Sequence, residues 1–198
     1  KVPVENNHVG SYRRIVNIPA NWDGKQVIAH FGSVTSNIYL WINGVFVGYA
    51  EDSKVAAEFD ITRYLKKGKN LIAFQAFRWS DGSYCEDQDF WRMSGVGRSC
   101  YLYARSVTSQ IRNILVTPDV GNNYKDGILR INFHTSGIVP EFTLYDAYGN
   151  EVWYRPQGRI DKSDLSSIVM PIKDVHLWTA ETPYLYTLIA TMKENGKI

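Results

Sequence analysis

Acidic and aromatic side chains are concentrated in one segment of this sequence, between Arg78 and Gly95. Its acidic residues are Asp81, Glu86, Asp87 and Asp89, and its tryptophans are Trp79 and Trp91. Carboxylates this close together repel one another unless arginines or a cation compensate them. Since Arg78, Arg92 and Arg98 lie in or beside the segment, we predict an ordered loop in which most carboxylates are paired and one or two stay available for a ligand.

Two kinds of ligand suit a carboxylate beside aromatic rings, as in Asp89, Phe90 and Trp91. A carboxylate accepts hydrogen bonds from two sugar hydroxyls, while an aromatic ring covers the C–H face of a pyranose. A carboxylate is also a ligand for hard cations, although one loop rarely supplies a complete coordination shell. Position in the sequence does not separate the sugar from the cation.

Short strands must position this loop, because apolar residues alternate through most of the chain and helical periodicity is nearly absent. Before residue 105 the alternation predicts strands at 11–18, 26–31, 58–61, 70–79 and 99–104, and a hairpin within 36–50. Asn43 and Gly44 are typical of the two-residue turn of such a hairpin. Seven short strands favour a two-sheet sandwich.

A second set of strands follows a polar stretch at 105–109, which predicts a domain boundary near residue 106. We therefore expect one domain at 1–105 and another at 106–198, with strands near 111–117, 128–134, 141–146, 151–155, 167–172 and 184–192. That number of strands is typical of an immunoglobulin-like sandwich. Asn195 and Gly196 begin a turn with no return strand after it, so the last strand is expected to be truncated.

Composition excludes several function classes. The net charge of +2 and the lack of a large basic cluster argue against nucleic-acid binding. No apolar run is long enough to span a bilayer, and residues 1–7 lack the apolar core of a signal peptide. We expect no membrane partner and a soluble protein, in the cytoplasm or the periplasm. Cys85 and Cys100 form no disulfide framework or zinc motif, and their redox state stays open.

Several motifs carry a resemblance to a known family. They are GYAEDS at 48–53, AEFDIT at 57–62, RWSDGSY at 78–84, EDQDFWRMSG at 86–95 and LWTAETPYLY at 177–186. Together they resemble the amino-terminal sugar-binding domain and the first immunoglobulin-like domain of the β-galactosidases of glycoside hydrolase family 2. The two strings between residues 78 and 95 are more typical of β-galactosidases than of β-glucuronidases or β-mannosidases.

The resemblance implies an all-β fold, with a galactose-binding-like jelly-roll sandwich followed by an immunoglobulin-like sandwich. In the family a (β/α)₈ barrel then carries the two catalytic glutamates, so the resemblance places no catalytic residue in this chain. The expected partners of the intact enzyme are a β-galactoside, that carboxyl-terminal barrel and further copies of itself in a homo-oligomer. Sodium and magnesium are its expected ions.

The resemblance also assigns roles within the loop. Asp89 matches an aspartate that contacts galactose hydroxyls and a sodium ion, and Phe90 beside it is predicted to contact substrate. The other singled-out residues, which are expected to shape the loop, are Trp79, Asp81, Glu86, Asp87, Trp91 and Arg92. Two alternatives stay open, namely a free-standing carbohydrate-binding module, or the same region of a β-glucuronidase or a β-mannosidase.

Overall fold

The structure is a computed structural model that describes residues 1–87, 89, 91–121, 124–135, 138–159, 165–194, 196 and 198. About 54% of the chain is in strands and 5% in helices, so the predicted all-β class is confirmed. The chain divides into two compact units, Lys1–Val107 and Thr108–Ile198.

Antiparallel strands build the first unit. Its described residues form β1 (Val9–Ile18), β2 (Gln26–Phe31), β3 (Val34–Thr35), β4 (Asn37–Ile42), β5 (Val45–Glu51), β6 (Ala57–Asp60), β7 (Gly68–Phe77), β8 (Gly95–Val96) and β9 (Cys100–Arg105). A four-stranded sheet has the order β1-β7-β4-β5, a three-stranded sheet has the order β6-β2-β9, and β3 pairs with β8. The helices are α1 (Gly82–Cys85) and 3₁₀ turns at Ala20–Trp22 and Thr62–Tyr64.

The core of this unit lies between the two larger sheets. Alternate residues of β4 point inward, and Ile38, Leu40 and Ile42 are at most 1% exposed. From the other sheet, Val27, Ala29 and Phe31 of β2 meet them in the same apolar cluster. The period of two that predicted these strands therefore also selects the buried face.

The turn between β4 and β5 is tied to the start of β7 by side-chain amides. Asn43 and Gly44 have φ values of 52° and 84°, as the predicted two-residue turn requires. The Asn43 Nδ2 donates to the Asn70 Oδ1 at 2.8 Å. Asn70 is 1% exposed, and its own amide donates to the carbonyls of Lys66 and Gly68. The buried Asn70 amide thus satisfies backbone groups of the turn at Lys66 and Gly68 and holds the Asn43 side chain of the hairpin turn.

The second unit contains another set of antiparallel strands. They are β10 (Ile111–Val120), β11 (Gly127–Thr135), β12 (Ile138–Val139), β13 (Glu141–Tyr145), β14 (Glu151–Arg155), β15 (Gly158–Arg159), β16 (Leu165–Ile172) and β17 (Thr187–Thr191). They form sheets in the orders β10-β11-β16 and β14-β13-β17, with β12 paired to β15. Ile131, Phe133, Phe142 and Met170 are almost completely buried in the core of this sandwich.

The last strand starts later than the sequence predicts. β17 begins at Thr187, and Tyr184 and Tyr186 precede it with their hydroxyls accepting hydrogen bonds from the amides of Ala147 and His176. Those loop contacts replace sheet pairing. Tyr186, Leu188 and Ala190 nevertheless share the core-facing side, as the alternation predicts. Asn195, where a final turn is predicted, lies outside the described residues.

Candidate functional site

The acid-rich segment leaves the four-stranded sheet at the end of β7 and is held there by Asn7. The Asn7 Nδ2 donates to the Trp79 carbonyl at 3.0 Å, and the Trp79 amide donates to the Asn7 Oδ1 at 2.9 Å. The amide of Arg78 also donates to the carbonyl of His8 at 2.9 Å. The start of the loop is therefore fixed by a segment more than 70 residues earlier in the chain.

Trp79 is the aromatic anchor of the loop. Its side chain is half-buried, and the Arg78 guanidinium lies over its ring at 5.4 Å from the centroid. A cation over an indole face is an attractive contact. Trp91 behaves differently, because its side chain is 83% exposed. The role of Trp91 in shaping the loop stays a prediction.

The short helix α1 is held by Glu51 at the end of β5. The Glu51 Oε2 accepts a hydrogen bond from the Gly82 amide at 3.1 Å, and its Oε1 accepts one from the Tyr49 hydroxyl. A Cβ atom on residue 82 would lie only 2.6 Å from the same Oε2, so glycine allows this close approach. Partial burial and the hydrogen bond to Glu51 raise the pKa of Tyr49, which keeps its hydroxyl protonated as a donor.

Two of the predicted loop-shaping carboxylates are engaged. The Glu86 Oε1 accepts a hydrogen bond from the Ser53 amide at 2.8 Å, so Glu86 ties the end of α1 to the turn after β5. Asp87 forms an ion pair with Arg92. Both side chains of that pair are more than half exposed, and such an exposed pair contributes little to stability.

Asp81 precedes α1 and contacts this helix through its backbone carbonyl. Its carbonyl accepts a hydrogen bond from the Tyr84 amide at 3.1 Å, whereas its side chain makes no capping bond to the helix. The exposed Asp81 carboxylate therefore differs from those of Glu51, Glu86 and Asp87, which all have partners.

Asp89 lies near the exposed end of the loop. Its side chain is exposed, and no hydrogen bond or ion pair joins it to another residue that the structure describes. Asp89 therefore projects outward and is not sequestered by the arginines of its own unit. Phe90, the other predicted substrate contact, lies outside the described residues, as does Gln88.

A surface depression runs beside the loop between β3 and the segment after Asp87. Its empty volume is about 530 Å³, and its walls include Trp79, Glu86, Asp87, Trp91 and Arg92. Five of the six predicted loop-shaping residues therefore line this depression. The sixth, Asp81, does not line it, and neither does Asp89. The arrangement offers an aromatic ring beside carboxylates and a guanidinium, which are groups that bind polar hydroxylated ligands.

Sequence reasoning missed Glu51, although it lies in the GYAEDS motif. Its spacing from the loop in sequence gave no sign of the Gly82 contact. Ser53 in the same motif was also missed, and its amide holds Glu86 while its carbonyl accepts a hydrogen bond from the Ser33 hydroxyl at 2.6 Å. The sequence feature that could have revealed Glu51 is an acidic residue at the end of a mostly apolar strand.

Comparison with known protein families matches both units. Residues 1–106 match the model of the glycosyl hydrolases family 2 sugar binding domain, and residues 109–198 match that of glycosyl hydrolases family 2. The chain belongs to glycoside hydrolase family 2. The motifs around the loop thus reflect family membership, and the predicted resemblance is confirmed.

Curated members of family 2 resemble this chain over almost its whole length. A β-galactosidase of Priestia megaterium (strain DSM 319 / IMG 1521) is 42% identical over 202 residues, which are 96% of this chain and 19% of that protein. A β-galactosidase of Clostridium acetobutylicum is 36% identical over 196 residues, which are 97% of this chain and 22% of that protein. This family 2 chain therefore spans about a fifth of the length of these relatives.

Solved structures of other proteins share the fold. A β-glucuronidase of Bifidobacterium dentium, complexed with coumarin-3-O-glucuronide, has a TM-score of 0.79 at 19% identity over 96% of this chain and 37% of its own. A family 2 member from Bacteroides cellulosilyticus DSM 14838 has a TM-score of 0.79 at 20% identity over 96% of this chain and 27% of its own. At this identity the likeness concerns the fold alone.

Among the residues that the structure describes, no helix has the length and apolar character needed to cross a membrane. Within the same residues, no group of three or more histidine, cysteine, aspartate or glutamate side chains is placed to hold a metal ion.

Proposed function

We propose that this chain is the non-catalytic amino-terminal part of a retaining β-galactosidase that hydrolyses terminal β-D-galactosides. Membership of family 2 and the β-galactosidase relatives at 42% and 36% identity support the reaction and the substrate. The single observation that carries the role of the loop is the outward-facing, unpaired Asp89 beside carboxylates that are engaged.

In this proposal Asp89 helps to hold the sugar. An ionised carboxylate accepts hydrogen bonds from two neighbouring hydroxyls and so fixes the ring's orientation relative to the reacting bond. Correct orientation of a bound substrate lowers the barrier of the chemical step. Glu51, Glu86 and Asn7 hold the rest of the loop, which keeps the entropic cost of ordering Asp89 small.

Turnover is assigned to the barrel of the parent protein. A retaining glycosidase needs two carboxyl groups about 5 to 5.5 Å apart, one acting as acid and base and the other as nucleophile. The loop carboxylates Glu86 and Asp87 are used in contacts within the unit, so they are poorly suited to those roles. We therefore expect no hydrolysis by the 198-residue chain itself.

The residues fit only a partial role in binding an ion. A sodium ion takes oxygen ligands, and the unpaired Asp89 carboxylate is a suitable one, but the described residues offer no cluster that would complete a shell. We propose Asp89 as one sodium ligand in the intact enzyme, with the others outside this chain. Use of magnesium and assembly into a homo-oligomer stay predictions.

Substitution in the full-length parent tests the role of Asp89. We expect Asp89→Asn to lower kcat/KM for a nitrophenyl galactoside on the order of 100-fold and to change the response to sodium, because a neutral amide replaces a charged acceptor. Asp81→Asn is the matched control, since this carboxylate is exposed in the same loop and makes no cap. Unchanged galactoside kinetics and sodium response in Asp89→Asn would remove the residue from the site.

A second measurement separates the proposal from the alternatives. Galactose and lactose are titrated calorimetrically into the 198-residue chain, and we expect no binding at concentrations up to about 10 mM, since one wall of a site holds a sugar weakly. Millimolar or tighter binding would favour a free-standing carbohydrate-binding module. Faster hydrolysis of a nitrophenyl glucuronide or mannoside than of the galactoside by the parent would overturn the substrate assignment.

A further inference from the structure

The outer face of the four-stranded sheet carries a row of one small and two large side chains across three strands. Arg13 of β1, Ala73 of β7 and Trp41 of β4 are direct neighbours in the register of this sheet. Side chains alternate between the two faces of a strand, and the adjacent residues Leu40 and Phe74 pack in the core cluster. The row therefore lies on the face that points away from the core.

A depression lies over Ala73, the small member of this row. Its empty volume is about 690 Å³, and its walls include Ser11, Arg13, Trp41, Ala73 and Gln75. These five residues define the Arg13/Trp41 depression. Arg13 and Trp41 are two strand spacings apart, which is about 10 Å between their backbones. Since a methyl group alone separates the arginine from the indole along this row, the depression has room for one ring of a small molecule.

The Trp41 indole forms the aromatic wall of the depression and is held by neighbouring rings. Its centroid lies 5.6 Å from that of Phe46 and 6.2 Å from that of Tyr39. The Tyr39 ring is inclined to the indole by 20°, and the Trp41 side chain is half-buried. A ring that is already fixed loses little conformational entropy when it meets the C–H face of a pyranose.

Polar groups form the opposite side of the depression. The Gln75 Nε2 donates to the Ser11 Oγ at 3.2 Å, which leaves the Gln75 Oε1 and the Ser11 hydroxyl hydrogen available to a ligand. Arg13 is exposed, and no hydrogen bond or ion pair joins it to another residue that the structure describes. Its nearest positions on β7 are Leu71, Ala73 and Gln75. The guanidinium therefore has no carboxylate beside it on that strand.

We propose that the Arg13/Trp41 depression binds a hexuronate, which is a pyranose that carries a carboxylate. A guanidinium donates two parallel hydrogen bonds to a carboxylate, and this charged contact is stronger than one to a neutral hydroxyl. The C–H face of the sugar ring covers Trp41, the carboxylate pairs with Arg13, and ring hydroxyls bond to Gln75 and Ser11. None of these residues belongs to the acid-rich loop, so the proposal does not depend on the role of Asp89.

Titration of matched ligands tests the proposal. Glucuronate and glucose differ at one carbon, which bears a carboxylate in the first and a hydroxyl in the second. Both are titrated into the isotope-labelled 198-residue chain, and the amide signals are followed by NMR. We expect a Kd of about 1 to 10 mM for glucuronate, and binding about tenfold weaker or less for glucose and for acetate. Equal affinity for glucuronate and either control, or no glucuronate binding at about 50 mM, would overturn the proposal.

Substitutions assign the binding to this depression. We expect Arg13→Gln to abolish the preference for glucuronate over glucose, and Ala73→Leu to weaken glucuronate binding about tenfold by filling the space beside Trp41. Arg14→Gln is the matched control with an unchanged Kd, because Arg14 is an exposed arginine on the opposite face of β1. Trp41→Phe, with its smaller ring, should weaken binding about threefold and is a second test if Ala73→Leu does not fold. Unchanged glucuronate affinity in Arg13→Gln, or in either folded variant of the wall and floor, would overturn the proposal.

Discussion

The Glu51 carboxylate accepts a hydrogen bond from the Gly82 amide at 3.1 Å and so joins the end of β5 to the first turn of α1. The same carboxylate is engaged by the Tyr49 hydroxyl. A single acidic side chain at a strand end thus connects the four-stranded sheet to the loop that carries Asp89.

Removing this carboxylate is expected to loosen the loop. We expect Glu51→Ala to lower the free energy of unfolding by about 1 to 2 kcal/mol, since the Gly82 amide and the Tyr49 hydroxyl both lose a charged acceptor. Hydrogen exchange at the Gly82 amide should become faster. Urea unfolding and exchange mass spectrometry measure the two effects, with Glu5→Ala at an exposed position as control. Unchanged Gly82 exchange would contradict the role given to Glu51.

The buried amide of Asn70 is expected to matter more than any surface contact. Asn70→Ala should lower the free energy of unfolding by about 2 to 4 kcal/mol, because the Lys66 amide and the Lys66 and Gly68 carbonyls lose their partner. Asn70→Asp should cost at least as much, since a carboxylate faces those carbonyls.

The control for this prediction is Asn17→Ala on the exposed face of β1, where we expect a change of less than about 0.5 kcal/mol. Denaturant titration followed by tryptophan fluorescence measures all three variants. A cost at Asn70 as small as that at Asn17 would show that the amide network does not stabilise the turns.

Asp60 should give the first unit a pH-dependent stability. Partial burial alone would raise the pKa of Asp60, but hydrogen bonds from Thr62 and Gln26 outweigh it and hold the pKa below its usual value. Stabilisation from a lowered carboxyl pKa is fully present above the unfolded-state pKa of about 3.9 and is lost as the pH falls through the folded-state value.

We therefore expect Asp60→Asn to lower the free energy of unfolding on the order of 1 kcal/mol at pH 7 and by less near pH 3. Denaturant titrations at the two pH values measure the difference. Asp23→Asn is the control, because Asp23 makes only an exposed pair with Lys67 at 3.5 Å. An equal cost at both pH values for Asp60→Asn would argue against the lowered pKa.

The core of the second unit depends on one aromatic pair. The rings of Phe133 and Phe142 lie 5.2 Å apart between centroids, and both side chains are at most 1% exposed. We expect Phe142→Ala to cost about 3 to 5 kcal/mol, through lost burial and the cavity left behind. Val169→Ala, at a side chain that is 52% exposed, should cost less than about 1 kcal/mol. Thermal unfolding by circular dichroism measures both, and similar midpoints would contradict this packing.

The regular strands could be predicted from the sequence because the alternation of apolar residues and the residue types of a tight turn are both visible within a few residues. The hairpin at Asn43 and Gly44 follows from backbone φ values that few other residues adopt. β17 was predicted too long, since the alternation of Tyr184 and Tyr186 continues into a segment whose hydroxyls serve a loop. The alternation of apolar residues does not predict which backbone group a tyrosine hydroxyl will bond.

The loop was located by its composition, but its contacts were not. Nothing local connects Glu51 with Gly82 or Asn7 with Trp79, because these pairs are 31 and 72 residues apart. Contacts between residues distant in sequence also separate the two tryptophans. Trp91 has a local sequence context similar to that of Trp79, and yet its side chain is exposed. The Trp79 backbone is held by Asn7, a contact between residues that are distant in sequence.

The paired amide contact between Asn7 and Trp79 has a practical consequence for trimming the protein. Deletion of residues 1–8 would leave the strands from β1 onward intact and would remove the contacts of Asn7 and His8 that hold the start of the loop. A binding measurement on such a shortened chain would then describe a loop that is no longer held in place. Circular dichroism would not reveal this, because the sheet content would be unchanged.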